Sequence, residues 1–150
     1  MNTWWQQITK IVAITFVLLT AFISSAFAEN MQKLGSMNVH YIAIGSTFLT
    51  PTIAKTYGIE RSRYNGLVNI SVLDANLKGN PAKTVLISGT AKNNIGQSKT
   101  LDFKEVKEGS AIYYLAQLHY SNEETFHFAI KIDDGNGQKT LKFDQKFYVD

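Results

Sequence analysis

The chain predicts an all-β protein, an immunoglobulin-like antiparallel β-sandwich of about seven strands with one short helix between the first strands. Three observations carry that reading. Runs of β-branched and aromatic residues recur, most at spacings of about 8–12 residues, a rhythm that suits a sandwich or small barrel and not alternating strands and helices. Clusters of Gly, Asn and Asp punctuate the runs. No long helical periodicity and no internal repeat accompany them.

In order, strands are expected at 39–44 (VHYIAI), 67–73 (LVNISVL), 84–91 (TVLISGTA), 100–106, 111–120 (AIYYLAQLHY), 125–133 (TFHFAIKID) and 141–149 (LKFDQKFYV). In 67–73, Val68, Ile70 and Val72 share one face, and Leu67, Asn69, Ser71 and Leu73 share the other. The sequence Asp134-Gly135-Asn136-Gly137 is a hairpin signal. Both prolines, Pro51 and Pro81, fall between strands, where they interrupt no ladder. A hairpin at Ser121–Glu124, with Tyr120 opposite Thr125, would put Phe126, Phe128, Ile130 and Ile132 on a core face with His119, Gln117, Leu115 and Tyr113. Tyr114, Leu118 and Tyr120 would then lie on the wetter face.

The connection from Gly45 to Gly66 (GSTFLTPTIAKTYGIERSRYNG) is too long for a turn. Thr50 followed by Pro51 is a helix start, and Gly58 suits a left-handed stop, so a two-turn helix is expected over Thr50–Tyr57. Arg61 and Arg63 follow beside Tyr57 and Tyr64, a combination suited to an anion, a carboxylate or a carbohydrate. The alternative is a structural lid that plugs an open end of the sandwich with Phe48, Leu49, Ile53 and Ile59, the arginines facing solvent. Tyr57, Arg61, Arg63, Tyr64, Tyr114 and Tyr120 are the candidate ligand- or partner-binding residues.

The first residues bear on compartment. Lys10 is the one charge before an apolar run at 11–23, and small residues then end at Ala26-Phe27-Ala28. This is the pattern of a secretory signal peptide cleaved after Ala28, leaving 29–150 as a single domain. Thirteen apolar residues span about 20 Å as a helix, short of a bilayer core of roughly 30 Å. The membrane is therefore expected to be met only through the signal peptide before cleavage. The chain has no cysteine, which excludes disulfides, thiolate metal sites and an N-terminal lipid anchor. About 120 residues suffice for a core without them. Its net charge of +3 is small and spread along the chain, so nucleic acid is not an expected partner.

Motifs for chemistry are sparse. His40, His119 and His127 are expected on separate faces or strands, so no metal site and no cofactor are expected. Asp133 to Gly137 lacks the spaced carboxylates of a calcium loop. There is no nucleophile elbow, P-loop or dinucleotide fingerprint, so no catalytic residue is named.

The phrases STFLTPTIAKTYGIERSRYNGLVNISVL, SGTAKNNIGQ, EGSAIYYLAQLHYSNEETFHFAIKI and LKFDQKFYVD resemble a bacterial exported family, domain of unknown function 4426. The resemblance covers nearly the whole chain after the signal segment. It implies a Gram-negative periplasmic protein of unknown activity and brings no catalytic residues. The function expected is a non-enzymatic binding or interaction module, with another envelope protein or an anionic small ligand as partner. The alternatives are a small-molecule carrier with a cavity inside the β-structure and a hydrolase with an unrecognised site.

Overall fold

A computed structural model describes residues 29–149; the signal peptide expected at 1–28 lies outside the described residues. Nine strands form two antiparallel sheets. The strands are β1 (Asn30–Leu34), β2 (Met37–Gly45), β3 (Asn65–Asp74), β4 (Leu86–Asn93), β5 (Ser98–Leu101), β6 (Lys104–Glu108), β7 (Ala111–His119), β8 (Glu124–Asp133) and β9 (Gln138–Phe147). One sheet has the order β1-β2-β3-β7-β6 and the other β5-β4-β8-β9. With β1 and β5 set aside, the remaining strands reproduce the four-plus-three Greek-key arrangement of an immunoglobulin domain. The fold class read from the sequence therefore holds, with nine strands in place of seven.

The two extra strands have separate origins. The first is β1, a polar stretch (NMQKL) with no alternation, which the pattern of apolar residues could not reveal. The second arises because 100–106 is two strands, broken at Asp102-Phe103 where the chain leaves one sheet for the other. Leu101 pairs with Gly89 in the four-stranded sheet, and Lys104 pairs with Leu115 in the five-stranded sheet. Leu101 and Phe103 both turn into the core across this step, so the alternation runs unbroken through a change of sheet.

Side chains from both inner faces fill the space between the sheets. Val39, Val68, Ile70 and Val72 from one meet Phe126, Ile130, Ile132 and Leu141 from the other, all without measurable exposure. Each such side chain contributes roughly 1.5–3 kcal/mol by leaving water. The faces of β3 are as the alternation predicts. Those of β7 are reversed. β7 has β3 on one edge and β6 on the other, so β8 cannot pair with it, and 120–123 crosses between the sheets. The N–H of Tyr120 donates to the carbonyl of Tyr64 instead of closing a hairpin with Thr125. Tyr114, Ala116, Leu118 and Tyr120 consequently enter the core, while Tyr113, Leu115, Gln117 and His119 point outward.

At one end of the sandwich a charged clasp joins three connections. Lys83 Nζ lies 2.8 Å from Asp134 Oδ2 and 3.3 Å from Asp74 Oδ2, and Ser36 Oγ donates to Asp134 Oδ2 at 2.9 Å. The Lys83 ammonium, helped by the Asn136 N–H, holds the Asp134 carboxyl far below the usual carboxylate range, and Asp134 in turn raises Lys83. Asp134 is thus the counter-ion of a lysine, within the tight turn that Gly135 (φ +90°) and Gly137 (φ +114°) make possible.

Candidate functional site

The Gly45–Gly66 connection builds the site. After a 3₁₀ turn at Ser46–Phe48, helix α1 runs over Pro51–Tyr57. Its start and stop are those the sequence predicts. The Ile53 N–H donates to Thr50 Oγ1, Pro51 stands in the first turn, and Gly58 takes φ +68°, its N–H returning to the last turn. What α1 covers differs from either expectation. It does not plug an end of the sandwich; it packs on the outer face of the five-stranded sheet. Ala54 and Ile59 meet Leu67 of β3 there, with Ile44 of β2 and Leu115 of β7 packed against them. This second apolar cluster forms a partial third layer.

Neutral and charge-assisted hydrogen bonds hold the connection down. Arg61 donates from Nε to the Leu49 carbonyl at 2.9 Å and from Nη2 to the Thr47 carbonyl at 3.2 Å. Asn65 Nδ2 donates to the Glu60 carbonyl and to Gln117 Oε1, which also accepts from the Glu60 N–H. Ser46 Oγ donates to the Ser62 carbonyl and accepts from the Ser62 N–H. The buried polar groups Ser46 and Asn65 are thereby satisfied, Ser46 on backbone and Asn65 on backbone and the Gln117 side chain.

A groove of about 280 Å³ lies alongside α1. Its floor is Leu67 and Leu115, with Ile53 and Ile59 on the α1 side. Tyr57, Tyr113, Asn69 and Glu108 complete it. Tyr57 Oη donates to Glu108 Oε2 at 2.7 Å, and this carboxylate raises the Tyr57 hydroxyl above the ordinary tyrosine range. Asn69 Oδ1 is the one buried side-chain polar atom without a hydrogen-bond partner among the described residues. Past Tyr113, a second and more polar concavity of about 590 Å³ continues along β3, with His40, Ser71 and Ser110 in its wall. His40 Nδ1 stands 3.4 Å from Glu29 Oε1. The two concavities, which share Tyr113, are together termed the trough.

The structure separates the six residues singled out from the sequence. Tyr57 lines the groove. Arg61 spends its guanidinium on two carbonyls of its own connection and acts as a clasp. Arg63 and Tyr64 are exposed on the return to β3, outside the trough. Tyr114 and Tyr120 belong to the core at 2% and 5% exposure, which corrects their expected place on a wetter face. The Tyr114 hydroxyl accepts from the Val85 N–H and donates to Glu105, and burial pushes it upward in pKa. That of Tyr120 donates to the Tyr148 carbonyl. Sequence reasoning missed Leu67, Asn69, Glu108, Tyr113 and Leu115. A signal existed for Leu67, a large apolar residue out of phase with the inward Val68, Ile70 and Val72 of its strand.

Among the described residues no three His, Asp or Glu side chains come together as a metal site. His40 and His119 pair with Ser71 and Asn65 of β3, about 20 Å apart along the strand. His127, on the other sheet, has Nδ1 at 2.7 Å from Asp144 Oδ1 and Nε2 at 2.8 Å from Asn94 Oδ1. No described helix is long and apolar enough to cross a membrane.

Comparison with known proteins gives a consistent fold. A crystal structure of a DUF4426 family protein from Pseudomonas aeruginosa PAO1 is similar, with 34% identity, a TM-score of 0.70, and coverage of 81% of this chain and 96% of that one. A copper-bound variant of FetP from uropathogenic Escherichia coli strain F11 shares the fold at 12% identity and a TM-score of 0.56, covering 80% and 95%. No curated protein matches. Residues 31–150 match the family described as domain of unknown function, DUF4426. With that match over most of its length, and the same strand framework in a solved relative, the chain belongs to the DUF4426 family.

Proposed function

We propose that the protein is exported to the periplasm by cleavage after Ala28 and acts there as a non-enzymatic binding module. Its recognition surface is the outer face of the five-stranded sheet beside α1. The observation that carries this reading is the groove itself, in which α1 buries Leu67 but leaves outward-facing Leu115 partly uncovered, rimmed by a few convergent polar groups. The other readings lack such support. Large side chains occupy the sandwich interior, where a carrier would need its cavity. A hydrolase would need a base hydrogen-bonded to a nucleophile; His40 lies across from Ser71 and near Glu29, but among the described residues no serine or threonine hydroxyl is hydrogen-bonded to a histidine, and both ring nitrogens of His127 are engaged by Asp144 and Asn94. The copper named for the FetP variant is not carried over, because the three histidines here do not converge.

Two measurements test the proposal. N-terminal sequencing of the protein from a periplasmic fraction should begin at Glu29. The purified mature chain and its Ile53→Glu variant, which places a charge at the groove while leaving the core untouched, should differ in what they retain from a periplasmic extract. A first residue before Glu29 overturns cleavage after Ala28, absence of the protein from the periplasmic fraction overturns export, and identical retention by the two proteins overturns the recognition surface.

A further inference from the structure

The trough has a charge of its own. The chain carries 15 Lys and Arg against 12 Asp and Glu, yet no Lys or Arg lines the groove itself; Lys104, beside Asp102, lines the adjoining concavity that shares Tyr57, Ile59 and Leu115 with it. Glu108 stands at the groove. Tyr57 fixes one oxygen of Glu108, leaving the other to accept. The rings of Tyr57 and Tyr113 flank the same space, and a cation over a tyrosine face is attracted by the ring quadrupole. The floor between them is aliphatic, and Asn69, which lines it, has an amide oxygen without a donor.

We propose that the groove beside α1 takes a small organic cation, a protonated amine carried on an apolar body. The body rests on Leu67, Leu115 and Ile59, and the ammonium sits between Glu108 and the Tyr113 ring. An anion is disfavoured at the same place, because nothing in the lining offsets its charge and Glu108 repels it. This reverses the sign of the ligand expected from Arg61 and Arg63, since Arg61 is committed to backbone carbonyls. The inference rests on reading this face as the binding surface, and the experiment separates the two.

The test uses three probes with one phenethyl body and different polar heads: phenethylamine, 2-phenylethanol and 3-phenylpropionate. Each is titrated into the ¹⁵N-labelled mature protein at neutral pH and low salt, with amide shifts as the readout. Phenethylamine should shift the amides of α1, of 67–69 and of 108–115, and should bind about fivefold more tightly than the alcohol. 3-Phenylpropionate should bind more weakly than either. Glu108→Gln, at an exposed position, should bring the amine to within about twofold of the alcohol. Raising the salt should shrink the difference in the same way. Equal binding of amine and alcohol within this groove overturns the cation and leaves the binding surface standing. Tighter binding of the propionate, or an amine preference that survives Glu108→Gln, overturns the cation too. Shifts confined to other parts of the chain, together with unchanged retention by Ile53→Glu, overturn both.

Discussion

On the outer face of the five-stranded sheet, Ile44, Leu67 and Leu115 point away from the sandwich and meet α1. On the outer face of the four-stranded sheet, the outward positions of β4 and β8 are Leu86, Ser88, Thr90, Lys92, Thr125, His127, Ala129, Lys131 and Asp133, polar except for Ala129 and for Leu86, which stands uncovered at the strand end. The first face resembles a core with half its cover, and the second an ordinary solvated surface. An antiparallel sheet needs burial on one side only. Apolar residues on both sides therefore mark something beyond folding of the sandwich, and here they coincide with the long connection. The Gly45–Gly66 segment supplies part of the cover and leaves a groove.

That contrast can be broken most directly by truncating one residue on each face. Leu67→Ala should cost about 2–4 kcal/mol, since it removes a buried side chain from a packed cluster. Thr90→Ala should stay within about 0.5 kcal/mol. Urea unfolding of both variants measures the gap; equal costs would mean that the layer under α1 is no core.

The clasp at Lys83 provides a control remote from both faces. Lys83→Met leaves the shielded Asp134 carboxylate without its cation and should lower the melting temperature clearly at neutral pH. The folded pKa of Asp134 is depressed, so its contribution is present above the ordinary carboxylate value of about 4 and is lost as pH falls toward the depressed value. That of Lys83 is raised, so its contribution is complete below the ordinary lysine value of about 10 and is lost as pH rises past it. The deficit of the variant should therefore narrow in strong acid, as Asp134 is neutralised. A deficit that grew on acidification would contradict the pairing.

Arg61→Ala sharpens the comparison within the covered face. Loss of two hydrogen bonds from an exposed guanidinium should cost about 1 kcal/mol. The loss should be local, with amide exchange faster across 46–64 and unchanged in β8. Unaltered exchange in that segment would return Arg61 to the role of a ligand contact.

The smallest effect is expected from Tyr57→Phe, which removes the hydroxyl that Glu108 accepts from. The folded Tyr57 pKa is raised, so this contribution is present below about pH 10 and is lost as pH rises through the raised value. The variant should differ slightly from the parent at neutral pH and converge with it in alkali. Divergence in alkali would show that the hydrogen bond to Glu108 does not set the shift.

Much of the site's scaffold is legible in the order of residues. Thr50-Pro51 and Gly58 delimit α1 because capping and left-handed backbone are local chemistry. The strand cores are legible for a similar reason: alternation is a property of a few consecutive residues. The faces of β7 were not. Both phases of 113–120 hold large apolar side chains, Tyr113 and Leu115 on one and Tyr114, Leu118 and Tyr120 on the other, so the neighbours of the strand decide which side is inside. The groove was invisible for a further reason. Leu67, Glu108 and Leu115 are far from Ile53 and Tyr57 along the chain, and no local pattern records that they meet.

By itself the sequence determined the fold class, the helix with both its ends, the turns at Gly-rich positions and the family phrases. Each depends on short-range sterics, capping or two-residue periodicity. Tertiary structure alone decided that 100–106 is divided between two sheets, that Tyr114 and Tyr120 face inward, and that Arg61 closes a loop. It also decided that α1 lies over Leu67 and Leu115. These outcomes follow from which strand edges remain open when the sheets assemble, and that competition is settled across the whole molecule.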